Sequence, residues 1–148
     1  MTINFYSTKD AYGEFSNFAA FPITLDGVCW PTTEHYFQAQ KFADEDYREK
    51  IRKADSPMMA ADLGRSRNVR IRDDWESAKI EVMRMAVLAK FDTHKELNEL
   101  LLSTGNEDIV EAARGDSFWG CGGDGTGKNW LGRILMEVRE QLRCRNVD

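Results

Sequence analysis

The chain predicts an α+β fold: a mostly helical single domain over residues 1–148 with a small antiparallel sheet. Three observations lead there. The first thirty residues are aromatic and β-prone. From Pro31 onward, apolar residues recur at helical spacing between recognisable caps. The length of 148 residues, 42% of them apolar, suits one core.

Asn4-Phe-Tyr, Phe15-Ser-Asn-Phe18, Ile23-Thr-Leu25 and Val28-Cys-Trp30 read as the extended segments, and Asp26-Gly27 is a hairpin turn signal. Thr32 or Thr33 then caps a helix containing Glu34 to Phe42, and a second short helix covers Tyr47 to Lys53. Ser56-Pro57 is a cap followed by proline at the first helical position, with Gly64 placed to stop that helix. Trp75 to Phe91 is the longest periodic segment, and its spacing puts Ala78, Val82, Met85 and Ala89 on the core face. Thr93 and Glu96 form a capping-box pair before Leu97, Leu100 and Leu101, and Gly105 ends that helix. Asp108 to Ala113 is a short strand or a helical turn, and Trp130 to Leu142 a closing helix. There is no repeat, low-complexity tract or linker.

The net charge of −5 argues against a surface made for long polyanions, although Gly64 to Arg72 packs four arginines into nine positions. Such a cluster suits a single anionic group such as a phosphate, with Arg65 its first candidate. Cys29, Cys121 and Cys144 have neither zinc nor disulfide spacing and are expected to be reduced. Only His35 and His94 are available, so a histidine-built metal centre is not expected, nor is any cofactor. No signal segment or membrane span is read, which makes a cytoplasmic location the expectation. No pattern specifies an oligomeric state.

Gly122-Gly-Asp-Gly-Thr-Gly-Lys-Asn129 is almost a nucleotide-binding P-loop. Asn129 lacks the hydroxyl that ligates magnesium, and the segment from Asp116 lacks the β-branched run of a central strand. The glycines then serve either as a lead into an Asn-capped helix or as a loop whose N–H groups, Gly123 included, approach an anion. On the helix after Pro31, Glu34, Gln38 and Lys41 share one face, with Trp30, Tyr36, Phe37 and Phe42 crowding the same element. A polar face among so many aromatics points to a cavity. Glu111, Asp116, Trp119 and Asn129 gather around the glycine loop. Carboxylates, a helical lysine, tryptophans and arginines suit chemistry on a nucleoside-like phosphosugar, because an N-glycosidic bond breaks through a cationic sugar centre.

Gly13 to Phe18 with its Asn17, Trp30 to Phe42, Asp73-Asp-Trp75 followed by Lys79 and Val82-Met83, and Phe118 to Gly132 together resemble the YbiA-like, or NADAR, family over nearly the whole chain. The resemblance implies an N-glycosidase acting on phosphoribosylamino pyrimidine intermediates of riboflavin synthesis. It also implies a rival activity, removal of ADP-ribose from guanine in nucleic acid, and a non-catalytic alternative, an ADP-ribose or NAD binding module. The acidic net charge favours the small phosphosugar-pyrimidine. By resemblance, Glu34 and Asp116 are the leading acidic catalytic candidates, with Glu111 beside them. Trp75 and Trp119 are base or ribose contacts, Asn129 a pocket residue, and Asn17, Tyr36, Gln38, Arg65 and Gly123 further substrate contacts. Lys41 opens a fork: a lysine attacks the opened sugar C1 to form a Schiff base, or water activated by Glu34 attacks directly.

Overall fold

The structure is a computed structural model that describes residues 1–145. It is α+β and mostly helical, with β1 (Thr2–Phe5), a 3-10 turn at Gly13–Phe15, β2 (Ile23–Leu25), β3 (Val28–Trp30), α1 (Thr33–Gln40), α2 (Glu45–Arg52) and α3 (Pro57–Gly64). There follow α4 (Trp75–Thr93), α5 (Lys95–Ser103), β4 (Asp108–Glu111) and α6 (Trp130–Arg145). Internal contacts divide the chain into two compact units: Ala20–Lys90, and Met1–Ala19 with everything from Phe91 onward.

The contiguous unit is built from a hairpin and helices. Asp26 and Gly27 both take positive φ, 53° and 77°, as a two-residue turn between twisted strands requires. The turn pairs β2 with β3 antiparallel, Ile23 opposite Trp30. Each of the three short helices that follow has a side-chain cap: Thr32, Asp44 and Ser56 accept from the backbone N–H of His35, Tyr47 and Met59. Pro57 opens α3 where its missing N–H costs nothing. Ile23, Trp30, Tyr36, Phe42 and Ile51 form the core with Ala86 of α4, and Val82 and Ala89 pack against its margin.

The second unit joins the two ends of the chain. β1 pairs in parallel with β4, Thr2 opposite Asp108 and Phe5 opposite Glu111, so this strand does not belong to the expected antiparallel sheet. Its β-prone residues marked it as extended but carried no information about its partner. Phe5 and Phe91 both meet Phe15 edge-on, at 5.8 and 5.6 Å between ring centres. Arg139 of α6, buried, donates to the Thr104 hydroxyl at 2.9 Å and the Glu107 carbonyl at 2.8 Å, tying α6 to the turn before β4.

Three further expectations change. Phe15 to Phe18 is not extended, because the left-handed Tyr12 (φ 60°) turns the chain into the 3-10 turn. The buried face of α4 carries Trp75, Met83, Ala86, Val87 and Phe91, whereas Met85 is exposed. Small alanines fitted two neighbouring stripes, and the aromatic ends of the helix choose between them. Thr93 is the last residue of α4 rather than a cap, and His94 occupies the cap position of α5 without a side-chain hydrogen bond that caps the helix. Cys29, Cys121 and Cys144 are free thiols.

Candidate active site

Helix α1 is buried on all sides, from Thr33 through Ala39. A helix so enclosed is normally apolar all round, yet this one holds Glu34 and Gln38, each only 8% exposed. The Gln38 side-chain amide donates to Glu34 Oε1 at 3.1 Å, which fixes which way round the amide sits. Gln38 Oε1 is then buried with no hydrogen-bond partner. One turn on, the Lys41 amine donates to the carbonyl of Gly64, the last residue of α3, at 3.3 Å. Burial pushes the Lys41 ammonium below its ordinary value; Glu34 pulls it back, Arg65 and Lys79 add to the lowering, and Glu76 opposes them. The amine is therefore easier to neutralise than that of a surface lysine.

The other predicted residues of this unit are distributed unevenly. Tyr36 lies about 200° round α1 from Glu34 at 3.6 residues per turn, and it is buried edge-on against Trp30 in the core. The structure does not bring Tyr36 to the polar row, because two positions along a helix point to opposite sides. Trp75 is 6% exposed and packs on Phe37, ring centres 5.1 Å apart, which leaves little of it for a base to cover. Arg65 is exposed and paired with Asp62 at 2.6 Å. The arginine cluster is largely neutralised locally: Arg70 pairs with Asp73, and Arg72 with Asp74 through two bonds. The aspartates that follow the arginines by two or three positions were the signal for this. Lys79 and Glu76, joined at 2.8 Å, enter the electrostatics of Lys41 although neither stood among the predicted site residues. The four-residue spacing of Trp75 and Lys79 on one helix was the available clue.

In the second unit, Glu111 ends β4, half-buried, and its backbone N–H is received by Asn129 Oδ1 at 3.0 Å. The Asn129 amide also donates to the Ile109 carbonyl at 2.9 Å, so its side chain staples the loop to β4 instead of capping α6. Its φ of 52° is left-handed, unlike the extended conformation of a helix cap. Asp116 Oδ1 accepts from the backbone N–H groups of Phe118 and Trp119, at 2.9 and 2.8 Å. Trp119 is half-buried edge-on to Phe118, Gly123 is at the exposed tip of the loop, and Asn17 is half-buried just beyond the 3-10 turn.

The end of the glycine loop and the start of α6 are paired internally. Lys128, Asn129, Trp130 and Leu131 all give their N–H groups to carbonyls, those of Ser117, Gly120, Phe118 and Trp119, at 2.8 to 3.0 Å. The start of α6 is thus occupied by the protein's own backbone and does not offer these groups to a phosphate. A β-carbon on Gly127 would fall 2.5 Å from the Gly120 carbonyl and 2.6 Å from Cys121 C, so glycine there permits two stretches of backbone to run side by side.

Chemically, a buried carboxylate held by an amide and a half-buried amine of lowered proton affinity suit attack at an electrophilic sugar carbon. Among the described residues, no group of three or more His, Cys, Asp or Glu side chains is placed to hold a metal ion. No described helix is long and apolar enough to cross a membrane.

Comparison with known proteins gives the family and the class of reaction. N-glycosidase YbiA of Escherichia coli is 61% identical over 140 residues, 95% of this chain and 88% of that protein. The NMR structure of E. coli YbiA superposes with a TM-score of 0.93 at 57% identity, covering 100% of this chain and 88% of that one. A riboflavin biosynthesis protein of Vibrio vulnificus is 45% identical over 141 residues, 95% of this chain but only 38% of the larger protein. Likeness of this extent to a named N-glycosidase makes the chain an enzyme, a hydrolase acting on N-glycosyl bonds. Residues 4–143 match the NADAR domain, and the chain belongs to that family.

Proposed function

We propose that this enzyme hydrolyses the N-glycosidic bond of a phosphoribosylamino pyrimidine intermediate of riboflavin biosynthesis, releasing ribose 5-phosphate and the free pyrimidine. The row of buried Glu34 and Gln38 with half-buried Lys41 carries the reading. As the carbon–nitrogen bond breaks, its electron pair leaves with the pyrimidine amine and the sugar C1 becomes cationic. Glu34, oriented by Gln38, offsets that charge and takes a proton from the water that adds to C1. From the sequence resemblance alone, Glu111 remains a candidate acid and Trp119 a candidate base contact.

Lys41 provides the alternative route. Its neutral amine adds to C1 of the opened sugar, the pyrimidine amine departs, and water hydrolyses the resulting Schiff base to restore the lysine. Lowered proton affinity favours this chemistry, since only the neutral amine is a nucleophile. The riboflavin name of the Vibrio relative supports the pyrimidine substrate.

The test supplies the purified enzyme with the phosphoribosylamino uracil and, separately, with an ADP-ribosylated guanosine oligonucleotide, reading base or ADP-ribose release by mass spectrometry. Release from the uracil compound alone is expected, with Glu34→Gln lowering kcat by roughly a hundredfold or more. Release from the oligonucleotide alone would transfer the activity to nucleic acid, and ADP-ribose binding without turnover of either would make the protein a binding module.

A further inference from the structure

We propose that Asp116 is a positioning residue, which holds Trp119 for the substrate through the backbone and does not itself move a proton. This inference rests on the N-glycosidase reading for what Trp119 meets, but its geometry is independent of that reading.

One carboxylate oxygen, Oδ1, receives both the Phe118 N–H at 2.9 Å and the Trp119 N–H at 2.8 Å. Those lengths are in the range of charge-assisted bonds, and two donors converging on one oxygen fix the backbone of residues 118 and 119. The main chain of the same residue is engaged as well: Asp116 N–H reaches the Ala113 carbonyl, and its own carbonyl accepts from Gly122 at 3.1 Å. From there the constraint passes to the rings. Phe118 and Trp119 meet edge to face with centres 4.8 Å apart, and Phe118 also lies 6.5 Å from Trp130. The carbonyls of Phe118 and Trp119 receive the first two N–H groups of α6. The half-buried Trp119 thus sits on a backbone pinned from one side by Asp116 and from the other by α6.

With two N–H donors converging on it, Oδ1 is committed to holding the backbone of residues 118 and 119. Asparagine retains an Oδ1 acceptor of the same reach but cannot act as an acid or base. The substitution to asparagine therefore separates the two roles, and that to alanine removes both.

The experiment measures kcat and KM for Asp116→Asn, Asp116→Ala and Glu34→Gln on the phosphoribosylamino uracil. Alongside, amide and indole 1H–15N NMR spectra record the Phe118 and Trp119 backbone signals and the Trp119 ring signal. Asp116→Ala is expected to raise KM by roughly tenfold, the scale of one lost charge-assisted bond, with a smaller change in kcat and a displaced Trp119 indole signal. Asp116→Asn should rescue KM to within about threefold of the unaltered enzyme and keep the indole signal in place. A merely structural role would lower the melting temperature and the active fraction without splitting KM from kcat. The proposal is overturned if Asp116→Asn loses kcat as deeply as Glu34→Gln while its Trp119 signals stay put, since a proton-transfer role alone would do that. If the unaltered enzyme leaves the uracil compound intact, the glycosidase reading fails by itself. The positioning claim then stands on the indole signal moving in Asp116→Ala and not in Asp116→Asn, and falls if it moves in neither.

Discussion

A β-carbon on Gly64 would lie 2.0 Å from Gln38 Oε1, so the end of α3 and the amide that orients Glu34 compete for the same space. Gly64→Ala requires the Gln38 amide to swing aside, and Glu34 then loses the bond from Gln38. The backbone at Gly64 is ordinary helix, where alanine is otherwise favourable by up to about 1 kcal/mol. Activity should consequently fall much further than stability: kcat down by roughly tenfold or more, with a melting temperature shifted by only a few degrees, about what 1 kcal/mol produces. Steady-state kinetics and a thermal melt on the same sample check this, and undiminished turnover would detach Gln38 from the chemistry.

Lys41 gives a pH prediction. Its proton affinity is lowered mainly by burial, so its neutral fraction rises at a lower pH than that of a solvated lysine near 10.4. If the Schiff-base route operates, borohydride trapping of the sugar should increase with pH and level off below that value. Lys41→Met should abolish the adduct. An adduct surviving in that variant would assign the nucleophile to another amine.

Acid should loosen α1. His35 is buried, donates from Nε2 to the Ala54 carbonyl at 3.0 Å, and by the same assignment receives the Thr32 hydroxyl at Nδ1, 2.8 Å away. Burial lowers its proton affinity, partly opposed by the Ala54 carbonyl. A folded-state pKa below the unfolded value of about 6.5 means the unfolded chain binds the proton first. The contribution of His35 is complete above that pH and is lost as pH falls through it. Melting temperatures measured from pH 8 down to 5 should decline more steeply than those of a His35→Gln variant.

Asn129 predicts a stability effect away from the catalytic row. Asn129→Ala removes the bonds to Glu111 N–H and the Ile109 carbonyl and leaves alanine at φ 52°, for a cost of about 2–4 kcal/mol. Asn129→Gly loses the same bonds without the backbone strain and should be milder. Denaturant midpoints of the two variants measure the difference.

Caps and turns were the most legible part of the fold, because they depend on neighbours in sequence. Thr32, Ser56-Pro57 and Asp26-Gly27 do what their local chemistry dictates. The partner of β1 was not legible, since a strand states its period and not its neighbour. At the site, the shared face of Glu34, Gln38 and Lys41 could be read from helical spacing, whereas Tyr36, expected as a substrate contact, lies on the far side of α1 against Trp30. Asp116 and Asn129 were visible as polar residues near glycines, but their bonds run to backbone groups, and backbone groups have no sequence signature. Glycines chosen for close main-chain contact look the same as glycines chosen for phosphates.

The pairing of β1 with β4 places a condition on the order of assembly. β1, at Thr2–Phe5, is synthesised some hundred residues before its strand partner, Asp108–Glu111. Ala20–Lys90 is continuous and can organise its hairpin and helices while synthesis proceeds. The first strand must wait with its edge unsatisfied, so closure of the unit made from both ends is the long-range, slow step of folding. During that interval the unpaired edge of β1 is open to wrong pairing.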